Sequence, residues 1–109
     1  MRGTVYILTN RPNGTLYLGV TADLSRRVFE HREGRGGTFT RRYGLRRLVW
    51  FEHGAEEPRS GVSKRDIRTA IQRERTMKGY SRAWKVRLIL VTNPAWDDLY
   101  ETLNGAPLP

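Results

Sequence analysis

Two short apolar runs separated by a turn signal are the feature that most constrains the fold. The first run covers residues 5–8 and the second covers residues 16–20, and each contains one tyrosine, Tyr6 or Tyr17. The segment between them, residues 10–14, contains a proline and an Asn-Gly pair, and Asn-Gly is typical of tight hairpin turns. The pattern therefore predicts a β-hairpin. Because side chains alternate across a strand, we expect both phenols on one face of that hairpin.

The remaining pattern predicts an α+β domain in the order β-β-α-β-α-α, with a small three-stranded sheet flanked by helices. Asp23 is a good N-cap for a first helix that ends near Glu33. A second helix is expected to begin at Ser63 or Lys64 and to end at Lys78. The other expected elements are strands over 4–9, 15–21 and 48–52, a third helix over 82–91 and a last short helix within 95–103.

The glycine-rich and polar segments are interpreted as loops. Residues 34–44 read as a flexible, basic loop and residues 54–63 as a surface loop. We predict one domain over residues 1–104 and a frayed tail over 105–109. Helical spacing and aromatic character predict a core. Its expected members include Leu24, Val28, Phe29, Trp50, Trp84, Leu88, Val91 and Trp96.

The charge balance favours a polyanionic partner. The chain of 109 residues has 20 Lys and Arg against 11 Asp and Glu, a formal net charge of +9, and nucleic acid is the first candidate for such a surface. No apolar run approaches the roughly 20 residues that span a bilayer, and the start of the chain lacks a signal-peptide core, so we expect a cytoplasmic protein without a membrane partner. The absence of cysteine excludes disulfides, thiolate metal sites and cysteine nucleophiles.

The first predicted helix places Arg27 and His31 four residues apart, so that they stack on one face. That face borders the apolar stripe of Leu24 and Val28. A guanidinium at the edge of the core can make a bidentate contact with phosphate. It can equally cover apolar surface with its stem while its head reaches water. The residues alone leave both interpretations open.

Glu74 lies within the apolar stripe of the second predicted helix, three residues after Ile71 and three before Met77. A carboxylate in such a position is costly unless a positive group satisfies it. A hard divalent cation with oxygen ligands is one such group. An ion pair with Arg27 or another arginine is the other, and the pattern does not choose between them.

An ordered set of short motifs runs through nearly the whole chain. The first two are Thr4-Val5-Tyr6 and Tyr17-Leu18-Gly19. Downstream follow Asp23 to Arg27 with His31, Phe39 to Tyr43, Arg73-Glu74, Lys78 to Arg82 and Asn93 to Trp96. Taken in order, they resemble the GIY-YIG nuclease domain, and in particular its small single-domain bacterial members. Thr4 stands where the name motif has glycine and Leu18 where it has isoleucine, and neither change touches a phenol.

The resemblance implies a metal-dependent endonuclease with a central three-stranded antiparallel sheet. The family's catalytic positions match Tyr6, Tyr17, Arg27, His31 and Glu74, and its occasional polar residue after the glutamate has Asn93 as the nearest candidate. Tyr17 would then activate the water as general base, and Tyr6 would position the water or share the proton. His31 would accept the proton onward or orient Tyr6. Arg27 would clamp phosphate and Glu74 would hold Mg²⁺ or Mn²⁺.

The expected substrate is DNA, in branched, damaged or single-stranded form. Such substrates would suggest a role in DNA repair. RNA is left open as a substrate. The expected backbone contacts are Arg35, Arg41, Arg42, Lys78 and Arg82. Two competing hypotheses remain. A non-catalytic nucleic-acid-binding module would use the same charges together with the Phe39 and Tyr43 rings. A structural protein, such as a ribosome-associated factor, would use Glu74 as an internal ion-pair partner.

Overall fold

The predicted hairpin forms the start of the sheet in the computed structural model, which describes residues 3–53 and 67–103. Strand β1 (Thr4–Thr9) pairs antiparallel with β2 (Leu16–Thr21). The turn between them is closed by a hydrogen bond of 2.9 Å from the Gly14 amide to the Arg11 carbonyl. Asn13 has a φ of 58°, the left-handed conformation that asparagine tolerates better than most residues.

The third strand completes an antiparallel sheet in the order β2-β1-β3, so β1 is central and the other two strands are edges. Strand β3 (Arg47–His53) is two residues longer than the predicted 48–52. All six residues of β1 are buried, because the strand is paired on both sides and covered on both faces. The α+β fold with a three-stranded antiparallel sheet is therefore confirmed.

Helices cover the two faces of the sheet, and the alternation of side chains along β1 divides the core accordingly. On the face of Tyr6 lie α1 (Leu24–Arg32), α2 (Thr38–Arg42) and α5 (Tyr100–Leu103). On the face of Val5 and Ile7 lie α3 (Ile67–Lys78) and α4 (Arg82–Thr92). The two core clusters are thus separated by the sheet itself.

Local capping explains the helix bounds. The Asp23 side chain accepts a hydrogen bond from the Arg26 amide at the start of α1, and the Ser81 side chain does the same for the Trp84 amide at the start of α4. Both starts agree with the sequence. The predicted start of the second helix at residues 63–64, the surface loop at 54–63 and the tail at 105–109 lie outside the described residues.

Two predicted features differ in the structure. Residues 34–44 are not a loop throughout, because Thr38–Arg42 form α2, whose Thr40 is buried against α1. The last helix is shorter than 95–103 and covers only Tyr100–Leu103, since Trp96 adopts a φ of 58° that interrupts helical geometry.

The expected core is correct for Trp50 and Trp96, which are buried, and wrong for three other residues. Phe29 is 44%, Trp84 51% and Val91 76% exposed. Side-chain contacts with Arg35 at Phe29, and with Tyr80 and Arg87 at Trp84, do not bury these rings. Across the same ranges, no helix has the length and apolar character that crossing a membrane requires.

Candidate active site

The two phenols lie side by side on the α1 face of the hairpin. The register places Tyr6 opposite Gly19 and Tyr17 opposite Leu8, so the tyrosines are diagonal neighbours with ring centroids 6.3 Å apart. Tyr6 is 1% exposed, whereas Tyr17 is partly accessible. The predicted shared face is therefore observed, and Tyr17 is the phenol that a substrate can reach.

His31, in the last turn of α1, is buried against both tyrosines and links Tyr6 to α2. Its Nε2 lies 3.0 Å from the Tyr6 hydroxyl, and its Nδ1 lies 3.1 Å from the Thr40 hydroxyl. The Thr40 hydroxyl donates to the Gly37 carbonyl at 3.3 Å. Because that hydroxyl has one proton, it must accept from Nδ1–H, which assigns the tautomer. His31 Nε2 is then an acceptor, and the Tyr6 hydroxyl donates to it.

The pKa values of these buried groups support this direction of donation. Burial, with a further contribution from the charge of Arg27, lowers the pKa of His31 to about 4. Burial and then the neighbouring Tyr17 phenol raise the pKa of Tyr6 to about 12, although Arg27 opposes the rise. At neutral pH the pair is therefore a neutral imidazole that accepts from a protonated phenol.

Arg27 brings a positive charge to the same cluster. Its Nη1 donates to Glu30 Oε1 at 3.2 Å and its Nη2 donates to the Gly36 carbonyl at 2.9 Å. Burial alone would lower the pKa of the guanidinium, but its interactions with the Tyr6 phenol and the Glu30 carboxylate raise it. The side chain remains 33% exposed, so part of the guanidinium group is available to a bound anion.

Thr40 and Gly36 belong to this arrangement, and sequence reasoning missed both. Gly36 is buried, and a Cβ at this position would overlap His31 Nδ1. The segment 34–37 thus closes over the imidazole while its carbonyls accept from Arg27 and Thr40. The run of glycines followed by a threonine is the available sequence signal, and by itself it predicts no more than a loop.

Glu74 does not join the phenols in the structure. It lies on α3, across the sheet from the Tyr6 face, and its side chain is 13% exposed. Its Oε1 pairs with the Lys78 ammonium at 3.1 Å. Among the described residues, Glu74 makes no hydrogen bond or ion pair with Tyr6, Tyr17 or Arg27. The predicted alternative of a Glu74–Arg27 ion pair is therefore wrong, because Arg27 pairs with Glu30.

The residues present fit an open metal site better than a closed one. Within residues 3–53 and 67–103, no group of three or more His, Cys, Asp or Glu side chains could hold an ion. Mg²⁺ is commonly bound by one or two carboxylates and completed by waters and substrate phosphate oxygens. Glu74 is one sheltered carboxylate whose lysine partner is itself 62% exposed and free to swing away. This donor set fits a hydrated ion whose coordination shell is completed by the substrate.

The residues expected to contact nucleic acid fall into two groups. Arg35, Arg41 and Arg42 are exposed around α2, beside the phenol cluster. Lys78 and Arg82 already have partners in the chain. The Arg82 guanidinium donates to the Asn13 and Gly14 carbonyls at 2.9 and 2.7 Å, which holds the hairpin turn against α4. Arg82 therefore has a structural task that its position in the sequence did not reveal.

Asn93 holds the end of α4 and is not supported as a member of the site. Its side chain is buried, its Nδ2 donates to the Val49 and Asp97 carbonyls at 3.1 and 2.9 Å, and its Oδ1 accepts from the Asp97 amide at 3.0 Å. Because both ends of the amide are engaged in joining α4 to β3 and to the following turn, the residue has a structural role instead.

Comparison with known proteins places this arrangement in a family. Residues 2–87 match the model of the GIY-YIG catalytic domain. A UPF0213 protein of Natronomonas pharaonis is 36% identical over 85 residues, which cover 78% of this chain and 87% of the relative. A UPF0213 protein of Vibrio cholerae is 47% identical over 38 residues, and that match spans 38% of the relative's length.

A solved structure agrees with the fold. The solution NMR structure of a UPF0213 protein from Bacillus halodurans is 28% identical, with a TM-score of 0.50 over 93% of this chain and 96% of the other. The name of that protein, like the names of the sequence relatives, gives no activity. Because the domain model spans most of the chain and the Natronomonas pharaonis relative matches the chain over most of both lengths, the chain belongs to the GIY-YIG family.

Proposed function

We propose that this protein is a metal-dependent endonuclease that hydrolyses phosphodiester bonds in DNA. Family membership implies a nuclease-type function. The observation that carries the proposal is the meeting of Tyr6, Tyr17, Arg27 and His31 on one face of the sheet, although they come from three elements. A module that only binds nucleic acid has no need for a buried phenol–imidazole pair beside a second phenol.

Tyr17 is the general base in this proposal. Tyr6 is buried, has a pKa of about 12 and donates its proton to His31, so it is unsuited to deprotonate a water near neutral pH. An ordinary phenol has a pKa near 10, and a tyrosine base therefore needs positive charge nearby. Arg27 supplies such a charge. As the water oxygen bonds to phosphorus, the bond from phosphorus to the leaving oxygen breaks and the water proton passes to the Tyr17 phenolate. The leaving oxygen takes a proton from solvent.

Tyr6 and His31 position the base in this scheme. The Tyr6 oxygen donates to His31 Nε2, and its lone pairs remain able to accept from Arg27 or Tyr17. Arg27 binds a non-bridging phosphate oxygen with the exposed part of its fork. A divalent ion held by Glu74, Mg²⁺ or Mn²⁺, would supply Lewis-acid stabilisation of the phosphoryl and leaving oxygens.

The position of Glu74 gives the proposal a specific geometry. Helix α3 packs against β2 as well as β1, and β2 is an edge of the sheet. We propose that the DNA backbone lies along this edge, with the phenols on one side and Glu74 on the other. Lys78 then leaves Glu74 and becomes a phosphate contact.

The test is cleavage of a panel of duplex, single-stranded and branched DNA and RNA with Mg²⁺ or Mn²⁺. Tyr17→Phe and Glu74→Gln are each expected to lose at least about a hundredfold in rate. The matched controls are Tyr80→Phe and Glu52→Gln, whose side chains hydrogen-bond to Arg73, and these should retain full activity.

Three outcomes would overturn the assignments. Equal cutting by wild type and Glu74→Gln in EDTA would contradict the assignment of Glu74 as a metal ligand. Full activity in Tyr17→Phe would contradict the assignment of Tyr17 as the general base. Binding without cutting by the wild type, on every substrate and with both metals, would favour a non-catalytic binding module of the same fold.

A further inference from the structure

An exposed pair of aromatic rings continues outward from the phenol cluster. The Phe39 ring centroid lies 6.4 Å from that of Tyr17 and 4.9 Å from that of Tyr43. Phe39 is 48% and Tyr43 45% exposed. The rings of Tyr17, Phe39 and Tyr43 therefore form a row that begins at the accessible phenol of the site and ends in solvent. No described element covers the outer end of this row.

The aromatic pair is held on a rigid support. Between the two rings in sequence, Thr40 is buried and bonds to His31. The Leu45 side chain is fully buried, and its amide donates to the Thr40 carbonyl at 2.9 Å. Phe39 in α2 and Tyr43, the C-cap residue of that helix, lie one turn apart and are both exposed. Their exposure thus follows from a helix that is fixed to the core by its other face.

The chain segment that contains the pair is strongly basic. From residue 34 to residue 51 the chain contains five arginines and no Asp or Glu. The Arg42 guanidinium lies 5.6 Å from the Tyr43 ring centroid. An open cleft beside α2 is lined by Gly34, Arg35, Gly37, Thr38 and Arg41. Exposed rings among arginines suit a partner that has both flat aromatic faces and negative charge.

We infer that Phe39 and Tyr43 form a stacking surface for an unpaired base of single-stranded DNA next to the cut phosphate. The neighbouring arginines hold the phosphates of the same strand. A duplex keeps its base faces stacked on one another, so only an unpaired base presents its ring to this surface. The location next to the cut rests on the proposed function, because it takes the phenol cluster as the place of hydrolysis.

The rings are too close to sandwich a base between them, at a centroid separation of 4.9 Å. A base therefore stacks on their outer faces, and either ring alone retains part of the contact. This geometry makes a partial loss from each single variant and a larger loss from the double variant the expected pattern.

The experiment measures binding in EDTA, so that metal-dependent cleavage does not interfere. The probes are a single strand with one 2-aminopurine, the same strand with an abasic position in its place, the matching duplex and a single-stranded RNA. The variants are Phe39→Leu, Tyr43→Leu and the double substitution. Trp84→Leu is the matched control, since Trp84 is another exposed ring with an arginine 5.3 Å from its centroid, on α4.

We expect the wild type to prefer the single strand to the duplex and to quench 2-aminopurine. Loss of one stacking ring should weaken single-strand binding about tenfold, while duplex binding and the control change less than about twofold. Circular dichroism and thermal unfolding verify that each variant is folded.

Unchanged single-strand affinity in the double variant, or an equal loss in Trp84→Leu, would overturn the inference. Tighter binding of RNA than of DNA would overturn the assignment to DNA. The result is separable from hydrolysis. Ring-dependent binding with no cutting would defeat the hydrolase alone, whereas cutting of single strands that is indifferent to both rings would defeat the stacking surface alone.

Discussion

Gly19 lies directly opposite Tyr6 in the hairpin, and the Tyr6 ring occupies the space where a side chain of residue 19 would lie. A Cβ at Gly19 would stand 2.6 Å from the Tyr6 hydroxyl oxygen and 3.0 Å from Cε1 of Tyr17. Such distances are shorter than real carbon contacts. Glycine at this position is therefore what allows the first phenol to lie beside the second and to reach His31.

Gly19→Ala should displace the Tyr6 hydroxyl from His31 and leave the sheet paired. We expect the cleavage rate to fall at least about tenfold and the free energy of unfolding to fall by about 1–3 kcal/mol, the usual cost of overpacking. Gly79→Ala is the control, because a Cβ there would meet no atom closer than the Thr76 carbonyl at 3.4 Å. Full activity in Gly19→Ala would show that the position of Tyr6 is unimportant.

Thr40→Val keeps the shape of the side chain and removes the acceptor for His31 Nδ1–H. A buried donor without a partner costs about 1–3 kcal/mol, and the imidazole should shift toward the other tautomer, which cannot accept from Tyr6. Nitrogen chemical shifts of the ring report the tautomer, and the cleavage rate should fall about tenfold. Thr40→Ser should restore both readouts, while Thr38→Val, on the exposed side of α2, should alter neither.

Stability should depend on pH through His31. The folded pKa of about 4 lies below the value near 6.5 of an unfolded histidine, so the unfolded chain binds more protons between these values. The free energy of unfolding should therefore lose up to about 3 kcal/mol from this residue as the pH falls from 6.5 to 4, with no contribution above that window.

Urea unfolding at a series of pH values measures this effect as the difference between wild type and variant. His31→Gln should flatten the slope between pH 6.5 and 4, whereas His53→Gln should preserve it. A slope that is identical in wild type and His31→Gln would contradict the neutral buried imidazole.

Lys78 should compete with a divalent ion for Glu74. Lys78→Met removes the ammonium that lies 3.1 Å from Oε1, so a lower Mn²⁺ concentration should suffice to broaden the amide resonances around residue 74. We expect a shift of a few fold in the half-saturating concentration. Lys85→Met controls for the loss of one positive charge. Broadening that is absent in wild type and both variants would argue against a metal at Glu74.

Local sequence pattern determined the strands, most helix bounds and the pairing of the phenols. Alternation along two short strands joined by an Asn-Gly turn placed Tyr6 and Tyr17 on one face, and Asp23 marked the start of α1 through its cap. The four-residue spacing likewise brought Arg27 and His31 to one side of α1. These features depend on backbone geometry within a few residues, which composition and spacing specify directly.

Tertiary structure alone decided the partners and the exposure of the remaining residues. Helical periodicity shows which residues share a stripe, but not which element covers that stripe, and so Phe29, Trp84 and Val91 were wrongly assigned to the core. The Thr40–His31 bond depends on how α2 packs beside α1, whereas the pairing of Glu74 with Lys78 is a local contact between residues four apart in α3. Helix α3, which contains Glu74, packs on the face of Val5 and Ile7 and not on the face of Tyr6, and no local pattern predicts that arrangement.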